Sequence, residues 1–326
     1  MKMIKLIKKD KKKMRLGFVL MMGMITIFGV GCFKQNQEEQ HTEKVVLNKL
    51  GISASGETVS NVQIPKGEED VFETNSSIYK VNSREYGSED VKKIVKNLGT
   101  SIKKVDETDN LSVQYDLTDG AYLSYFKESG GMVYVSNNDI VEGVKGTNFD
   151  EAKCKRVAED FIKSSNIIDY SELEFKNANV AESVETSEGV QALSYELCYM
   201  KKSPQNIEFY GVGPGIKIKI AADYSVDSFT SIDKEIVKDI GKYETIDKKT
   251  AVEKICKGKE VQIDGSSEGE KLDVSIDEVN LCLYSDPISL EQNYYAPYYV
   301  LEGVDENKND ITIVVPAVED ENITYK

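Results

Sequence analysis

The sequence predicts an α+β chain made of tandem units, each a helix followed by a small antiparallel sheet, and three observations carry that expectation. Three stretches, at 86–99, 149–162 and 246–258, read as amphipathic helix starts. Each is followed by runs of alternating apolar and polar residues broken by turn residues, the pattern of half-buried strands. The series is preceded by a basic, then apolar, then polar N-terminal region that separates an anchor from a folded part. The expected organisation is a lipoprotein signal peptide at 1–31, a flexible tether at 32–74, and α+β units at 75–147, 148–245 and 246–326.

The chain opens on eight basic residues against one acid, Asp10, followed by the apolar stretch Leu16 to Cys32, LGFVLMMGMITIFGVGC. This is the charged start and apolar middle of a secretory signal. It closes on Gly29-Val30-Gly31-Cys32, which resembles the lipobox at which bacterial prolipoproteins are lipidated on cysteine and cut. Cys32 is therefore the expected lipidation site. The chain beyond it is expected on the extracytoplasmic face of the cell membrane, because the lysine cluster holds the N-terminal side in. The apolar run also approaches the roughly 17–25 residues of a spanning helix, so an uncleaved anchor is the alternative. Residues 33 to about 74 are polar and poor in aromatics, which reads as a tether with a typical span of roughly 35 Å.

Removing residues 1–31 leaves 33 basic against 55 acidic residues, a charge of about −22. Such a field repels nucleic acid and anionic wall polymers and favours cationic partners. The hydrophobic content of 40% is enough to fill one large core or several small ones. Beyond Cys32 the cysteines are Cys154, Cys198, Cys256 and Cys282, with no C-x-x-C pair to suggest zinc or redox work. Cys154 and Cys256 fall on apolar helical faces and read as small core residues. Disulfides Cys154/Cys198 and Cys256/Cys282 stay open, since the expected compartment is oxidising.

Within the helices, Asp150 and Asp247 stand where N-caps are needed, with Phe149 and Ile246 placed as hydrophobic staples against Cys154 and Ala251. Gly99 and Gly258 stand at C-terminal stops. The strand runs are LSVQYDL, AYLSYF and MVYVS; then LEFKNANVAESV, VQALSYELCYM, IEFYG, IKIKIAAD and VDSFTSI; then KLDVSIDEVNLCLY, PYYVLEG and ITIVVPAV. A helix followed by a meander, three times over, implies one helix covering one face of each small sheet.

A further sign lies in the order of these pieces. The strand Gly211-Val-Gly-Pro-Gly-Ile-Lys-Ile-Lys-Ile, the run DYSVDSF at 223–229, another helix start, and then APYYVLEG and VVPAV resemble extracytoplasmic lipoproteins of low-GC Gram-positive bacteria. These are similar to the YycH/YycI accessory regulators of a two-component sensor kinase and to PepSY-type modules. The resemblance spans roughly 75–320 and implies regulation of a sensor kinase, or restraint of a protease, by protein contact. It differs in its lipobox, which stands in place of a transmembrane anchor.

Chemistry is sparse in the expected folded part. The single histidine, His41, lies in the expected tether, which removes Ser-His-Asp and Cys-His systems and most catalytic zinc sites from it. Gly211, Gly213 and Gly215 precede a strand instead of opening a helix, and Pro214 removes a donor, so they read as a turn and not a phosphate loop. Asp305 to Asp310 resembles the start of a calcium loop but lacks its glycine and its final glutamate, and reads as a hairpin turn. Tyr294, Tyr295, Tyr298 and Tyr299 flank Pro297 and are the residues offered for partner contact. The expected function is a lipid-anchored regulatory or protein-binding module that is not an enzyme and uses no cofactor. Its expected partner is another envelope protein, and the membrane is reached through Cys32. A wall-acting enzyme using acidic residues and a structural envelope protein are the alternatives.

Overall fold

Strand accounts for 53% of the described residues and helix for 18%, so the chain is a mostly β protein. The computed structural model describes residues 44–50, 58–72, 74–107, 111–137, 150–186, 189–258, 260–265, 271–319, 321 and 323–326. The signal stretch, Cys32, His41 and Phe149 lie outside the described residues.

In chain order the elements are β1 (Val45–Leu47), β2 (Thr58–Gln63), a 3-10 turn (Glu68–Val71), β3 (Asn75–Ser83), α1 (Ser88–Asn97), β4 (Ile102–Asp106), β5 (Ser112–Leu117), β6 (Tyr122–Phe126) and β7 (Gly131–Val135). Then come α2 (Glu151–Ser165), β8 (Leu173–Thr186), β9 (Gly189–Lys201), β10 (Phe209–Gly211), β11 (Gly215–Ala221), β12 (Val226–Ile232) and β13 (Lys234–Glu244). The chain ends with α3 (Lys248–Lys257), β14 (Gln262–Asp264), β15 (Lys271–Ser285), β16 (Tyr294–Tyr295), β17 (Pro297–Asp305), β18 (Asp310–Pro316) and β19 (Ile323–Tyr325).

The helices form where their caps place them. The Asp150 carboxylate accepts from Ala152 N at 2.9 Å and the Asp247 carboxylate from Thr250 N at 2.6 Å. Each satisfies an otherwise orphaned amide of the first turn. Gly258 ends α3 in the left-handed region at φ 60°, where a glycine costs least.

Strand pairing overturns the tandem α+β reading. Strands β4 to β7 merge with β8, β9, β11 and β12 into one eight-stranded sheet of order β4-β5-β6-β7-β12-β11-β9-β8. The seam is the antiparallel β7–β12 ladder, running from Ser228 opposite Val135 to Ile232 opposite Gly131. Helices α1 and α2 lie on the same face of that sheet, where Val91, Ile94, Ala158 and Ile162 join Leu123, Leu197 and Ile218 in one core. The first two helix-plus-meander stretches therefore share a single sheet and a single core instead of forming two.

The six-stranded sheet, of order β10-β15-β17-β18-β14 with β2 also beside β15, is gathered from distant parts of the chain. One face packs on α3 through Ala251, Ile255, Tyr299, Leu301 and Ile313. Its other face packs on Ile78, Tyr243, Val45 and Ile323, which belong to the three-stranded sheet β13-β3-β16 and the two-stranded β1-β19. Two stretches of the expected tether are thus strands: β1 runs parallel to β19 and β2 parallel to β15. Polar composition hid them, although Val45 and Leu47 alternate to the inside and Val59 is buried.

The chain passes from the large sheet to the three-stranded one at Asp233, between β12 and β13. That carboxylate, with its side chain 9% exposed, meets Lys201 at 2.6 Å and Arg84 at 3.2 Å, and Lys201 also reaches Glu172 at 2.7 Å. Pairing with two cations is what makes a nearly buried carboxylate tolerable.

Candidate functional site

The two faces of the eight-stranded sheet differ in what they touch. On β11, Ile216, Ile218 and Ile220 are fully buried against the helices, so Lys217 and Lys219 between them point to the other face. On β9, Leu197 and Tyr199 are in the core and Cys198 and Met200 point the opposite way. Across this second face runs a row of register neighbours: Asn177, Cys198, Lys217, Thr230, Val133, Ser124 and Gln114.

At the β8–β9–β11 end this face forms one side of a cleft of about 950 Å³. Glu174, Lys176, Cys198, Met200 and Lys217 line that side, and β10 with Tyr284 and Ser285 of β15 lines the other. β10 is held close to β15 because Gly211, at φ 109°, carries no Cβ to run into the Ser285 carbonyl. Tyr210 stacks with Tyr284 at 6.4 Å between ring centroids.

Charge in and around the cleft is unevenly paired. Lys176 meets Glu208 at 3.3 Å and Glu174 at 3.8 Å. Lys201 is taken by Glu172 and Asp233, and Lys219, further along the open face, by Glu182 and Asp227. Lys202 and Lys217 line the cleft with no ion pair among the described residues. Burial pushes the Cys198 thiol above its ordinary value, with Lys217 opposing, and burial likewise raises the Tyr210 phenol. A protonated thiol is a poor nucleophile and protonated phenols are hydrogen-bond donors. The arrangement offers two cations, donors and an apolar wall, which suits holding an anionic ligand more than activating one. Among the described residues no three His, Cys, Asp or Glu side chains are grouped to hold a metal ion, and no helix is long and apolar enough to cross a membrane.

The residues offered from sequence for partner contact lie elsewhere. Tyr295 and Tyr299 are fully buried, Tyr298 is 3% exposed and Tyr294 9%. They alternate between cores: Tyr299 packs toward α3, against Phe72 at 4.6 Å, and donates to the Ile246 carbonyl at 3.0 Å. Tyr298 and Tyr294 face the opposite core, and Tyr295 packs with Tyr79 and Leu283. Their rings fill the interior, so a partner surface has to be sought elsewhere.

All four described cysteines are free thiols. Cys154 sits in the helix-side core while Cys198 is on the open face of the same sheet. Cys282 faces away from the core that α3 fills, although Cys256 belongs to α3. In each expected pair a sheet stands between the partners. The Asp305 carboxylate accepts from Asn307 N at 2.8 Å, Asn309 N at 2.9 Å and the Asn309 side-chain amide at 2.9 Å, closing the β17–β18 hairpin. Gly213-Pro214-Gly215 makes the tight entry to β11.

Sequence reasoning passed over Lys202, Lys217 and Tyr210. The available signal was IKIKI: in a strand with isoleucines on one face, the intervening lysines must share the other.

No family model matches the chain, and no curated protein does. Among solved structures it is similar to an uncharacterized protein from Eubacterium rectale, with TM-score 0.41, 10% identity, and 84% of this chain and 92% of that one covered.

Proposed function

We propose that this chain is a lipid-anchored extracytoplasmic binding protein. It regulates another envelope protein, such as a sensor kinase or a protease, by contact, holds its ligand in the cleft between the two large sheets, and turns over no substrate. The carrying observation is the cleft itself, about 950 Å³ with an aromatic wall and two lysines that have no ion pair among the described residues. That volume and mixed lining fit a binding site of ordinary size, and the protonated Cys198 thiol fits binding better than covalent chemistry. The net negative charge argues for a cationic partner over the surface at large; within the cleft, Lys202 and Lys217 are two cations that no carboxylate among the described residues pairs.

A photoreactive residue at position 210, in the cleft, compared with one at exposed Val105 on β4, tests the site in the lipidated full chain. The expected result is a discrete adduct from position 210 alone, carrying an intact ligand. Equal adducts from both positions, or recovery of a cleaved product, would overturn the reading. The anchor is tested separately: Cys32→Ala should abolish fatty-acid labelling, and labelling that persists would remove Cys32 as the lipid site.

A further inference from the structure

We infer that the occupant of the cleft is an extended acidic peptide segment, added as a strand to the outer edge of β10 with its carboxylates on Lys202 and Lys217. This rests on the cleft reading above and names the class of its ligand.

The first observation is an open strand edge inside the cleft. β10 pairs with β15 alone, in parallel, with Phe209 opposite Leu283 and Gly211 opposite Ser285. The Glu208 carbonyl accepts from Leu283 N at 2.8 Å. Alternate residues of a strand turn their amide groups to the same neighbour, so the amides of Phe209 and Gly211 turn away from β15. Both residues line the cleft, and among the described residues nothing pairs with that edge. An edge of free N–H and C=O groups is a template for an incoming strand.

The second observation is charge. Carboxylates of the chain pair Lys176 and Lys201 within the lining and Lys219 beyond it, leaving Lys202 and Lys217 with no ion pair among the described residues. In a chain of formal charge −15, two unmatched cations in one recess attract an anion and repel a basic segment.

The third is shape. Met200 and Tyr210 give the recess apolar surface that a small inorganic anion would leave unfilled. A peptide uses all three features together: main-chain bonds for the edge, apolar side chains for the wall, and carboxylates for the lysines.

The test uses the purified mature protein and labelled octapeptide pools read by fluorescence anisotropy. One pool fixes glutamate at alternate positions, a second replaces each glutamate with glutamine, and a third is acidic but N-methylated on alternate residues. The acidic pool should bind at least tenfold tighter than the glutamine pool, and N-methylation should weaken it at least tenfold. The double variant Lys202→Gln, Lys217→Gln should lose the acidic preference while its circular dichroism stays unchanged. Equal binding of the N-methylated pool would overturn strand addition, and an acidic preference that survives in the double variant would overturn the lysine contacts. Maleimide labelling of Cys198, located by mass spectrometry, separates the two proposals. If envelope extract shields Cys198 and no peptide pool does, the peptide assignment falls and the cleft reading stands. If nothing shields it, both fall.

Discussion

The two large sheets bury their residues by different rules. In the eight-stranded sheet helices cover one face and the other is only partly covered, so β11 reads GIKIKIA, with isoleucines fully inside and lysines half-exposed. In the six-stranded sheet both faces are covered, so β17 buries Pro297 through Leu301 without a break, alternate side chains entering opposite cores. A one-sided strand keeps a polar alternation and a two-sided strand loses it. The comparison explains why a run of tyrosines can look like an interface: Tyr298 and Tyr299 are both interior, on opposite sides of one strand. It also marks which of the two large sheets keeps a half-exposed face, the one that brings Cys198 and Lys217 to the cleft.

The largest expected effect comes from cutting into the two-sided sheet. Tyr299→Ala removes a fully buried ring, its contact with Phe72 and its hydrogen bond to Ile246. It should cost about 3–5 kcal/mol in urea unfolding. Phe161→Ala, under the helix side of the one-sided sheet and 5.6 Å from the Phe229 ring, should cost a similar amount. A loss below about 1 kcal/mol for either would mean that core is not closed as described.

Next in size is the buried cation where β12 leaves the large sheet. Lys234 is 2% exposed, donates to the Gln292 carbonyl at 3.0 Å and has Asp286 and Glu291 as its nearby acids. Burial nonetheless pulls its ammonium down to about 8 from the usual 10.5. Between those values the unfolded chain holds a proton that the folded chain does not, so stability rises as pH climbs through this window and is flat below it. The rise attributable to this group is roughly 3 kcal/mol at 1.36 kcal/mol per pKa unit. Lys234→Met should remove it from unfolding curves taken between pH 8 and 10.5. An unchanged slope in that variant would place the titration elsewhere.

Local order was readable from the chain; partnership between strands was not. Helix starts at Asp150 and Asp247 and the strands of the three meanders follow from caps, periodicity and turns, which act over a few residues. Nothing in residues 131–135 or 228–232 says that β7 pairs with β12 across nearly a hundred positions, and it is this ladder that fuses two expected units into one sheet. β3 and β13 escaped because their sequences, NSSIYKVNS and KEIVKDIGKYE, mix apolar with charged or polar residues and their ladder carries two register shifts. The cleft escaped for the same reason: β10 meets β15 through a parallel pairing that no local pattern encodes.

The caps themselves provide a smaller, local check. Asp150→Ala and Asp247→Ala should each cost about 1 kcal/mol, the usual value of an N-cap hydrogen bond. Because α2 sits on the one-sided sheet and α3 on the two-sided one, equal losses would show that capping acts independently of how the sheet beneath is covered. Losses differing by more than about 1 kcal/mol would instead tie the cap to tertiary packing.

The smallest expected effect is the most discriminating. Lys217 and Thr230 are register neighbours on the open face, between isoleucines and phenylalanine that point inward. Lys217→Gln and Thr230→Val should each change stability by less than about 0.5 kcal/mol, because neither side chain fills a core and Lys217 has no ion pair among the described residues to lose. The matching positions on β17 cannot be so silent, since moving one residue along that strand only exchanges one core for another. A loss above about 2 kcal/mol for Lys217→Gln would mean that the second face is covered and its lysine structural, and the large sheet would then be two-sided as well.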